Sequence, residues 1–332
     1  MKSQPGAWSI RRFAGTLADA EGLLAVERAT WGECPFTPEE VQARLQRPEQ
    51  RAWVAEAGGQ IVGFVCGLRT SHLAGPLMEA DLLAVHPAWQ RQGIATALLR
   101  ALRRDAQSAG TIGLRGAVRP ENSASERAFA RAGFTPSVSL YDLFIYRILG
   151  TVPRPLPAWC GRVAPLAGPE EAAQLAALLA AAPAQPTGPS LYAASREAGL
   201  TVLVASRTGS DGLQLSPSPA SGAHQNPCGK PPAGWREGDV VAAVELIQVY
   251  TLFYAGLWLE PLLDRPRERA ASKVLAAAAV ELAKERDLDE VGCLAPQGDR
   301  MLRAVLRGEG FVPLDRYRIW QALPLADGGI QS

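Results

Sequence analysis

Residues 82–102, LLAVHPAWQRQGIATALLRAL, decide the fold of this chain of 332 residues. The stretch begins with the apolar residues of a buried strand, passes through a short polar loop, and ends in strong helix formers. Residues 90–95 (QRQGIA) therefore open a helix directly after a strand. A helix N-terminus presents about four backbone N–H groups without intrahelical partners and carries a partial positive charge, so we predict that this loop binds a diphosphate group.

Small side chains within the loop fit the same role. Gly93 and Ala95 allow a ligand to approach the backbone closely, where a larger side chain would project into it. Arg91 adds positive charge at the rim. A plain strand-to-helix turn has the same local pattern, so the interpretation depends on the sequence around the loop.

Hydrophobic periodicity on both sides of the loop predicts a domain of strands and helices. Before the loop we expect a strand, two helices, a hairpin that turns at Gly58 and Gly59, and a strand that ends at Val85. After it we expect a helix, a strand, a second helix and a closing pair of strands within residues 137–147. This order is typical of an α+β fold with a mixed, mostly antiparallel sheet flanked by helices.

An internal repeat indicates that the chain contains this domain twice. The segment NSASERAFARAGFTP (residues 122–136) aligns with DRMLRAVLRGEGFVP (residues 299–313), and the same offset superimposes the helix after the loop on residues 273–284. A sequence of this length also predicts two cores of about 150 residues each. The fold class we predict is therefore α+β, with two tandem domains of the same kind.

Proline and low-complexity segments set the domain limits. Three prolines in residues 153–157 forbid a helix and favour an extended connector, so we place a first domain at 1–148, a linker at 149–161 and a second domain at 162–326. Residues 207–239 are rich in Ser, Pro and Gly, and we predict a disordered insertion there.

Composition narrows the class of partner. The 34 lysines and arginines nearly balance the 33 aspartates and glutamates, so we expect neither nucleic acid nor a membrane as a partner. The five cysteines are scattered, with no C-x-x-C pair, which predicts reduced thiols and no bound metal. The N-terminus lacks the apolar segment of a signal peptide, and the apolar runs are too short to span a bilayer. We therefore expect a cytoplasmic protein, either a monomer or a homodimer.

The quoted stretch, followed at this distance by NSASERAFARAGF, resembles the GNAT superfamily of acyl-CoA-dependent acyltransferases over residues 8–147. Gln90, Gly93 and Ala95 match its Q/R-x-x-G-x-G/A pattern. The resemblance implies acetyl-CoA as the cosubstrate, with Asn122 near it, although an N-cap of the following helix explains Asn122 equally well. It further implies that the main chain of one strand end pairs with the pantetheine arm and that the loop surrounds the pyrophosphate. The residues concerned are Leu83, Ala84 and Val85 for the arm, and Arg91, Gln92, Gly93, Ile94, Ala95 and Thr96 for the pyrophosphate.

Transfer to an amine requires that the amine lose a proton, because an alkylammonium is neutral only about 0.04% of the time at pH 7. Glu79 matches the position of the glutamate base in histone-acetylating members of the family. Asp81 points to the same face of the strand, because side chains alternate with a period of two. We expect the two carboxylates to bind or deprotonate a cationic acceptor; a solvated strand face is the alternative.

The resemblance leaves the acid that protonates the leaving thiolate open. Members of the family often place a tyrosine where this chain has Phe129, and a phenyl ring cannot donate a proton. The role passes to Ser125 or Tyr141, to water, or to no group at all.

Acceptor selection in this family comes from the segment between the first two helices and from the last strands. By that likeness we expect four residues to contact the acceptor, namely Trp31, Glu33, Phe36 and Tyr141. Aromatic core packing explains Trp31 and Phe36 equally well.

The second copy departs from the pattern that the first copy keeps. Residues 267–272 (RERAAS) lack the glycine and gain Glu268, Asp299 replaces the asparagine, and Leu306 stands at the tyrosine position. We predict a degenerate copy that packs on the first and shapes its acceptor cleft. The function we predict is transfer of an acetyl group from acetyl-CoA to a primary amine of a small molecule or peptide, by direct attack in a ternary complex. The alternative is a module that binds or senses acyl-CoA without turnover.

Overall fold

The structure is a computed structural model that describes residues 7–32, 34–73, 75–149, 161–166, 168–180, 201–207, 238–252, 254–264 and 269–323. The first half contains β1 (Ser9–Arg12), α1 (Leu17–Trp31), α2 (Pro38–Leu45), β2 (Gln50–Ala57), β3 (Gln60–Thr70), β4 (Leu77–Val85), α3 (Ile94–Ser108), β5 (Gly113–Val118), α4 (Ser123–Arg131) and β6 (Thr135–Arg147). The second half contains β7 (Gly161–Pro165), α5 (Pro169–Ala180), β8 (Thr201–Arg207), β9 (Val240–Tyr250), β10 (Ala255–Asp264), α6 (Arg269–Glu285), β11 (Glu290–Pro296), α7 (Arg300–Gly308) and β12 (Val312–Ala322).

The repeat read from the sequence reappears as equivalent helices. α4 and α7 have the same length and are each preceded by a side-chain cap: Asn122 accepts a hydrogen bond from the backbone N–H of Ser125, and Asp299 from that of Leu302. Such caps satisfy N–H groups that the helix itself leaves unpaired. The two copies therefore begin this helix by the same physical device.

All twelve described strands form one sheet, in the order β1-β2-β3-β4-β5-β12-β6-β11-β10-β9-β8-β7. Neighbouring strands are antiparallel except for two parallel pairs, β4 with β5 and β10 with β11. The predicted fold class, α+β with a mostly antiparallel sheet, is confirmed.

The two halves exchange their last strands. β12, from the second half, pairs with β5, whereas β6, from the first half, pairs with β11. The prediction of a closing strand pair within residues 137–147 is wrong: these residues all belong to the single strand β6, because none of them is a glycine, proline or asparagine at which the chain could reverse. The predicted domain boundary at residue 148 therefore divides the sequence into two halves, but the sheet is continuous across both.

The exchange also joins the hydrophobic cores. On one face of the first half, the core under α3 and α4 includes Trp320 from β12. The core of the second half, under α6 and α7, includes Phe144 and Tyr146 from β6. The opposite face of the first half is covered by α1 and α2, which pack on Phe64 and its neighbours. Each half thus supplies buried side chains to the other.

Two predicted segments lie largely outside the described residues. These are the linker at 149–161, of which 150–160 are not described, and the insertion at 207–239, of which 208–237 are not described. Among the described helices, none is long and apolar enough to cross a membrane.

Candidate active site

The site is organised by the point at which β4 and β5 separate. Their parallel pairing runs from Leu77 opposite Gly113 to Ala80 opposite Gly116 and then stops. β4 continues beside β3 to Val85, with a bulge that leaves Asp81 without a partner residue in β3. From Asp81 onward, therefore, one backbone edge of β4 is paired with β3, and the other has no described strand beside it.

A first cavity, of about 300 Å³, adjoins this free edge. It is lined by the end of β4, by the loop and first turn of α3, and by residues of α1 and α4. The lining includes every cofactor-binding residue predicted from the sequence except Gln92: Leu83, Ala84, Val85, Gln90, Arg91, Gly93, Ile94, Ala95, Thr96 and Asn122. The structure therefore brings these sequence-distant residues together around one space.

The loop before α3 presents backbone rather than side chain at the helix terminus. Gly93 is the N-cap, with a φ of 86°, and no side chain caps the helix. Arg91 also has a positive φ, 64°. The side-chain Nε2 of Gln90 donates to the carbonyl oxygen of Val85, 3.1 Å away, and so fastens the loop to the end of β4. The first N–H groups of α3 are left for a ligand, which is an arrangement suited to phosphate.

α4 contributes to the cavity and to the core. Asn122 caps the helix and also lines the first cavity, so the two interpretations of this residue are compatible. Ser125 lines the cavity as well. Phe129, at the position of the family tyrosine, is buried, and its ring lies 4.8 Å from that of Phe134 and 6.2 Å from that of Trp320. This position therefore serves packing.

A second cavity, of about 280 Å³, lies where the two halves meet. Glu79 and Asp81 line it, as the alternation along β4 predicts. The second half contributes much of the rest, including Tyr254, Trp258 and Tyr317. Asp81 is separated from Leu83, which lines the first cavity, by a single residue. The two cavities therefore adjoin the same strand at the point of separation.

A buried ion-pair network crosses the second cavity from one half to the other. The guanidinium of Arg115 donates from Nε to Glu79 Oε1, 2.5 Å away, and from Nη2 to Glu260. Burial raises the pKa of Glu79 to about 7, against the opposing effect of Arg115. Burial also lowers the pKa of His72 to about 4, so this imidazole, which lies 2.8 Å from the hydroxyl of Thr70, is neutral at neutral pH.

Asp81 differs from Glu79 in its partners. Its Oδ2 is buried and has no hydrogen-bond partner among the described residues. Burial raises its pKa to about 6, and a hydrogen bond from the backbone of Leu252 opposes this shift. A buried carboxylate oxygen without a partner is costly unless a ligand completes it. Asp81 therefore brings to this cavity a buried carboxylate oxygen that lacks a hydrogen-bond partner among the described residues.

Glu245 stands behind this network, opposite Glu260 in the pairing of β9 with β10. It is buried, and its Oε1 accepts the backbone N–H of Leu73 at 2.7 Å. Burial raises its pKa to about 7, and the nearby Glu260 raises it further while Arg115 opposes the shift. The folded protein therefore holds a proton on this carboxyl more tightly than the unfolded chain does.

Replacement Glu245→Gln is expected to stabilise the protein at pH 8 and to have little effect at pH 4.5. The raised pKa makes the wild-type protein lose stability as pH rises from about 4.5 to about 7, whereas glutamine keeps the acceptor for Leu73 without the charge. The gain at pH 8 is up to about 3 kcal/mol, since one pKa unit corresponds to about 1.4 kcal/mol. Urea unfolding at both pH values measures it; equal destabilisation at both would contradict the prediction.

The residues predicted to contact the acceptor are dispersed in the structure. Trp31 lines the first cavity, with 51% of its surface exposed. Phe36 packs beneath α1 and α2, with the guanidinium of Arg44 4.8 Å from its ring. Tyr141, on β6, lines neither cavity, and Glu33 lies outside the described residues.

The second cavity contains residues that the sequence did not reveal. Tyr254, Trp258, Glu260 and Tyr317 all come from the second half. The repeat indicated that the second copy shapes the cleft, but no local motif marks these positions, because their proximity depends on the exchanged strands.

The corresponding loop of the second half is described only in part. Arg265, Arg267 and Glu268 lie outside the described residues, and Arg269 is the first residue of α6. Leu306, at the position equivalent to the family tyrosine, is buried in the core.

The site therefore combines a parallel strand pair that separates with a helix N-terminus that no side chain caps, within a mostly antiparallel sheet. Residues 20–134 match the acetyltransferase (GNAT) family, and the chain contains a domain of that family. The resemblance found in the sequence is thereby confirmed.

Individual relatives extend this comparison. The chain is 38% identical to a mycothiol acetyltransferase from Corynebacterium kroppenstedtii over 79 residues, which are 24% of this chain and 20% of that protein. A GCN5-related N-acetyltransferase from Sphaerobacter thermophilus has a similar fold, with a TM-score of 0.57, 17% identity and coverage of 95% of both chains. A tandem GNAT protein from the clavulanic acid biosynthesis pathway also has a similar fold, with a TM-score of 0.52, 16% identity and coverage of 97% of this chain and 100% of that one.

Proposed function

We propose that the protein is an N-acetyltransferase that transfers an acetyl group from acetyl-CoA to a primary amine. The observation that carries the proposal is the position of two cavities on either side of the separation of β4 from β5. One adjoins the free edge of β4 and the start of α3, and the other is lined by the carboxylates of Glu79 and Asp81. An acyl donor in the first and an amine in the second would meet at residues 81–83.

The first cavity fits the parts of acetyl-CoA. The unpaired backbone of residues 83–85 offers hydrogen bonds to an extended amide chain such as pantetheine, in the manner of an added strand. The N-terminus of α3 suits a pyrophosphate, with Gly93 as its N-cap. Arg91, Arg127 and Arg131 also line this cavity and supply positive charge for phosphate.

The second cavity fits a cationic acceptor. Acetyl-CoA supplies a thioester, whose carbonyl carbon accepts the amine nitrogen as the bond to sulfur breaks. Asp81, with its free Oδ2, would bind the ammonium and take its proton. Glu79, held by Arg115, would keep the cavity negative. Ser125 is the candidate donor to the leaving sulfur, since it lines the first cavity.

The second half, in this proposal, completes the acceptor site of the first and does not repeat its chemistry. Its strands supply the aromatic walls and Glu260, and its loop before α6 has lost the glycine that the first half has at Gly93. The alternative proposal, binding of acyl-CoA without turnover, shares the first cavity and differs only in the use of the second.

Incubation with acetyl-CoA and a panel of primary amines, with free thiol and product mass as readouts, tests the proposal. Turnover of at least one amine supports it. Thermal stabilisation by acetyl-CoA without turnover of any amine supports the binding module instead, because a ligand that binds only the folded state stabilises it. Absence of both effects excludes both.

Replacement Gly93→Ala is expected to weaken binding of acetyl-CoA about tenfold or more. Gly93 has a φ of 86°, which costs an alanine about 1–2 kcal/mol, and its new methyl group would point into open space at the helix terminus. Gly110→Ala is the matched control: it has a φ of 66° and equally open surroundings at the far end of α3. Isothermal titration of both variants separates backbone strain from loss of the ligand site; equal weakening in both would contradict the assignment.

A further inference from the structure

The acceptor cavity contains more negative charge than its own residues neutralise. Glu79, Asp81 and Glu260 line it, and Glu245 adjoins Glu260. Among the described residues around it, Arg115 is the one cation that pairs with these groups. The neutral His72 adds nothing at neutral pH. If all four carboxylates were ionised, the excess would be three negative charges; the raised pKa values of Glu79 and Glu245, both about 7, mean that protons take up part of this excess in the empty cavity.

The excess negative charge lies at two places along the cavity, which we call its first end, at Asp81, and its second end, at Glu260. In the first half, Asp81 follows Ala80, the last residue of β4 that pairs with β5. In the second half, Glu260 follows Leu259, the last residue of β10 that pairs with β11. Each parallel strand pair therefore separates at an acidic residue, and both acids line the same cavity.

The second end is electrostatically incomplete. Glu245 and Glu260 face each other across β9 and β10, and like charges directly opposite each other are destabilising. Glu260 and Glu79 both pair with the single guanidinium of Arg115, so its one positive charge is divided between two carboxylates. Trp258 lies two residues before Glu260 on β10 and also lines the cavity, and aromatic faces attract cations.

From this geometry we propose that the acceptor is a diamine, with one ammonium at Asp81 and a second positive charge recognised by Glu260, which Glu245 faces from β9. The inference rests on the proposed function, since it names the substrate class of the same site. A cation at the second end would give Glu260 a positively charged partner of its own, because Arg115 is also paired with Glu79. The raised pKa values of Glu79 and Glu245 agree with a cavity that lacks this cation when it is empty.

The test compares matched amines on the full chain. p-Xylylenediamine is compared with benzylamine and putrescine with butylamine, at neutral pH with saturating acetyl-CoA. We expect kcat/KM for each diamine to exceed that of its monoamine about tenfold to a hundredfold, because a hydrogen bond to a charged group contributes about 1.5–3 kcal/mol. Equal rates, or preference for the monoamines, would overturn the inference while leaving the proposed function intact.

Glu260→Gln tests the second end directly. The replacement leaves Arg115 paired with Glu79, and the readout is the ratio of diamine to monoamine, in which effects common to both substrates cancel. We expect the ratio to fall at least tenfold. Glu245→Gln, which retains the acceptor for Leu73, should lower the ratio in the same direction and serves if the first variant does not fold. An unchanged ratio in a folded variant overturns the inference.

A binding readout separates the two proposals. Without acetyl-CoA, the melting temperature of the wild-type protein should rise more with p-xylylenediamine than with benzylamine at the same millimolar concentration. This result without turnover of any amine would support the cation site and refute the transferase. No difference between the two amines, together with no difference in rate, refutes the cation site.

Discussion

A chain that ends at Gly310 is expected to unfold as a whole, including the first half, from which nothing has been removed. The truncation deletes β12, an interior strand between β5 and β6. It also removes Ile319 and Trp320, which are buried, the latter in the core beneath α3 and α4. Both neighbouring strands would present unpaired backbone, and the loss exceeds a typical domain stability of about 5–15 kcal/mol. Circular dichroism and hydrogen exchange of amides in β4 and β5 measure the effect.

The controls for this prediction come from the same strand. A chain that ends at Leu323 retains all of β12 and should unfold at the wild-type temperature. Trp320→Ala in the full chain should cost about 3–5 kcal/mol, as for other large-to-small core replacements. A native-like first half in the chain that ends at Gly310 would show that the exchanged strand is dispensable and that the halves fold separately.

The lining of the first cavity could largely be predicted from the sequence because most of it is local. The strand end, the loop and the first turn of α3 are contiguous, and the glycine with positive φ lies at the predicted position. The helices also followed from local patterns: periodicity predicted those of the first half, and the repeat predicted α6 and α7, whereas the closing strand pair and the exchange of β6 and β12 were not predicted.

The second cavity, where we propose that the acceptor binds, could not be predicted in the same way. The lining of this cavity depends on which strand pairs with β5. Every strand pairs through the same backbone N–H and C=O groups, so the sequence of β5 does not identify its partner. Tyr254 and Glu260 are more than 170 positions from Glu79 and Asp81 in the chain, and the meeting of the two halves brings them into one cavity. The four acceptor residues predicted from family likeness were assigned to loops and strands of the first half alone, whereas the second half supplies the aromatic walls.

Replacement Asp81→Asn is expected to lower kcat/KM for an amine about a hundredfold to ten-thousandfold, the range for loss of a general base. Asparagine has the same shape and removes a buried charge whose Oδ2 has no described partner, so folding should not suffer. Glu79→Gln should have a smaller effect, because Glu79 is already engaged by Arg115. Binding of acetyl-CoA, measured by thermal shift, should be unchanged in Asp81→Asn. A variant that keeps more than about a tenth of the wild-type rate would show that Asp81 is not the base.

The pH dependence distinguishes loss of the base from loss of binding. In the proposed mechanism the amine binds as an ammonium ion and Asp81 must be ionised, so kcat/KM should rise through a pKa of about 6 and then remain level to about pH 9. Asp81→Asn lacks the base and can use only the neutral amine. Its residual kcat/KM should therefore rise about tenfold per pH unit until the pKa of the amine is reached. A level profile above pH 7 in the variant would assign proton removal to another group, with Glu79 the first candidate because burial raises its pKa to about 7.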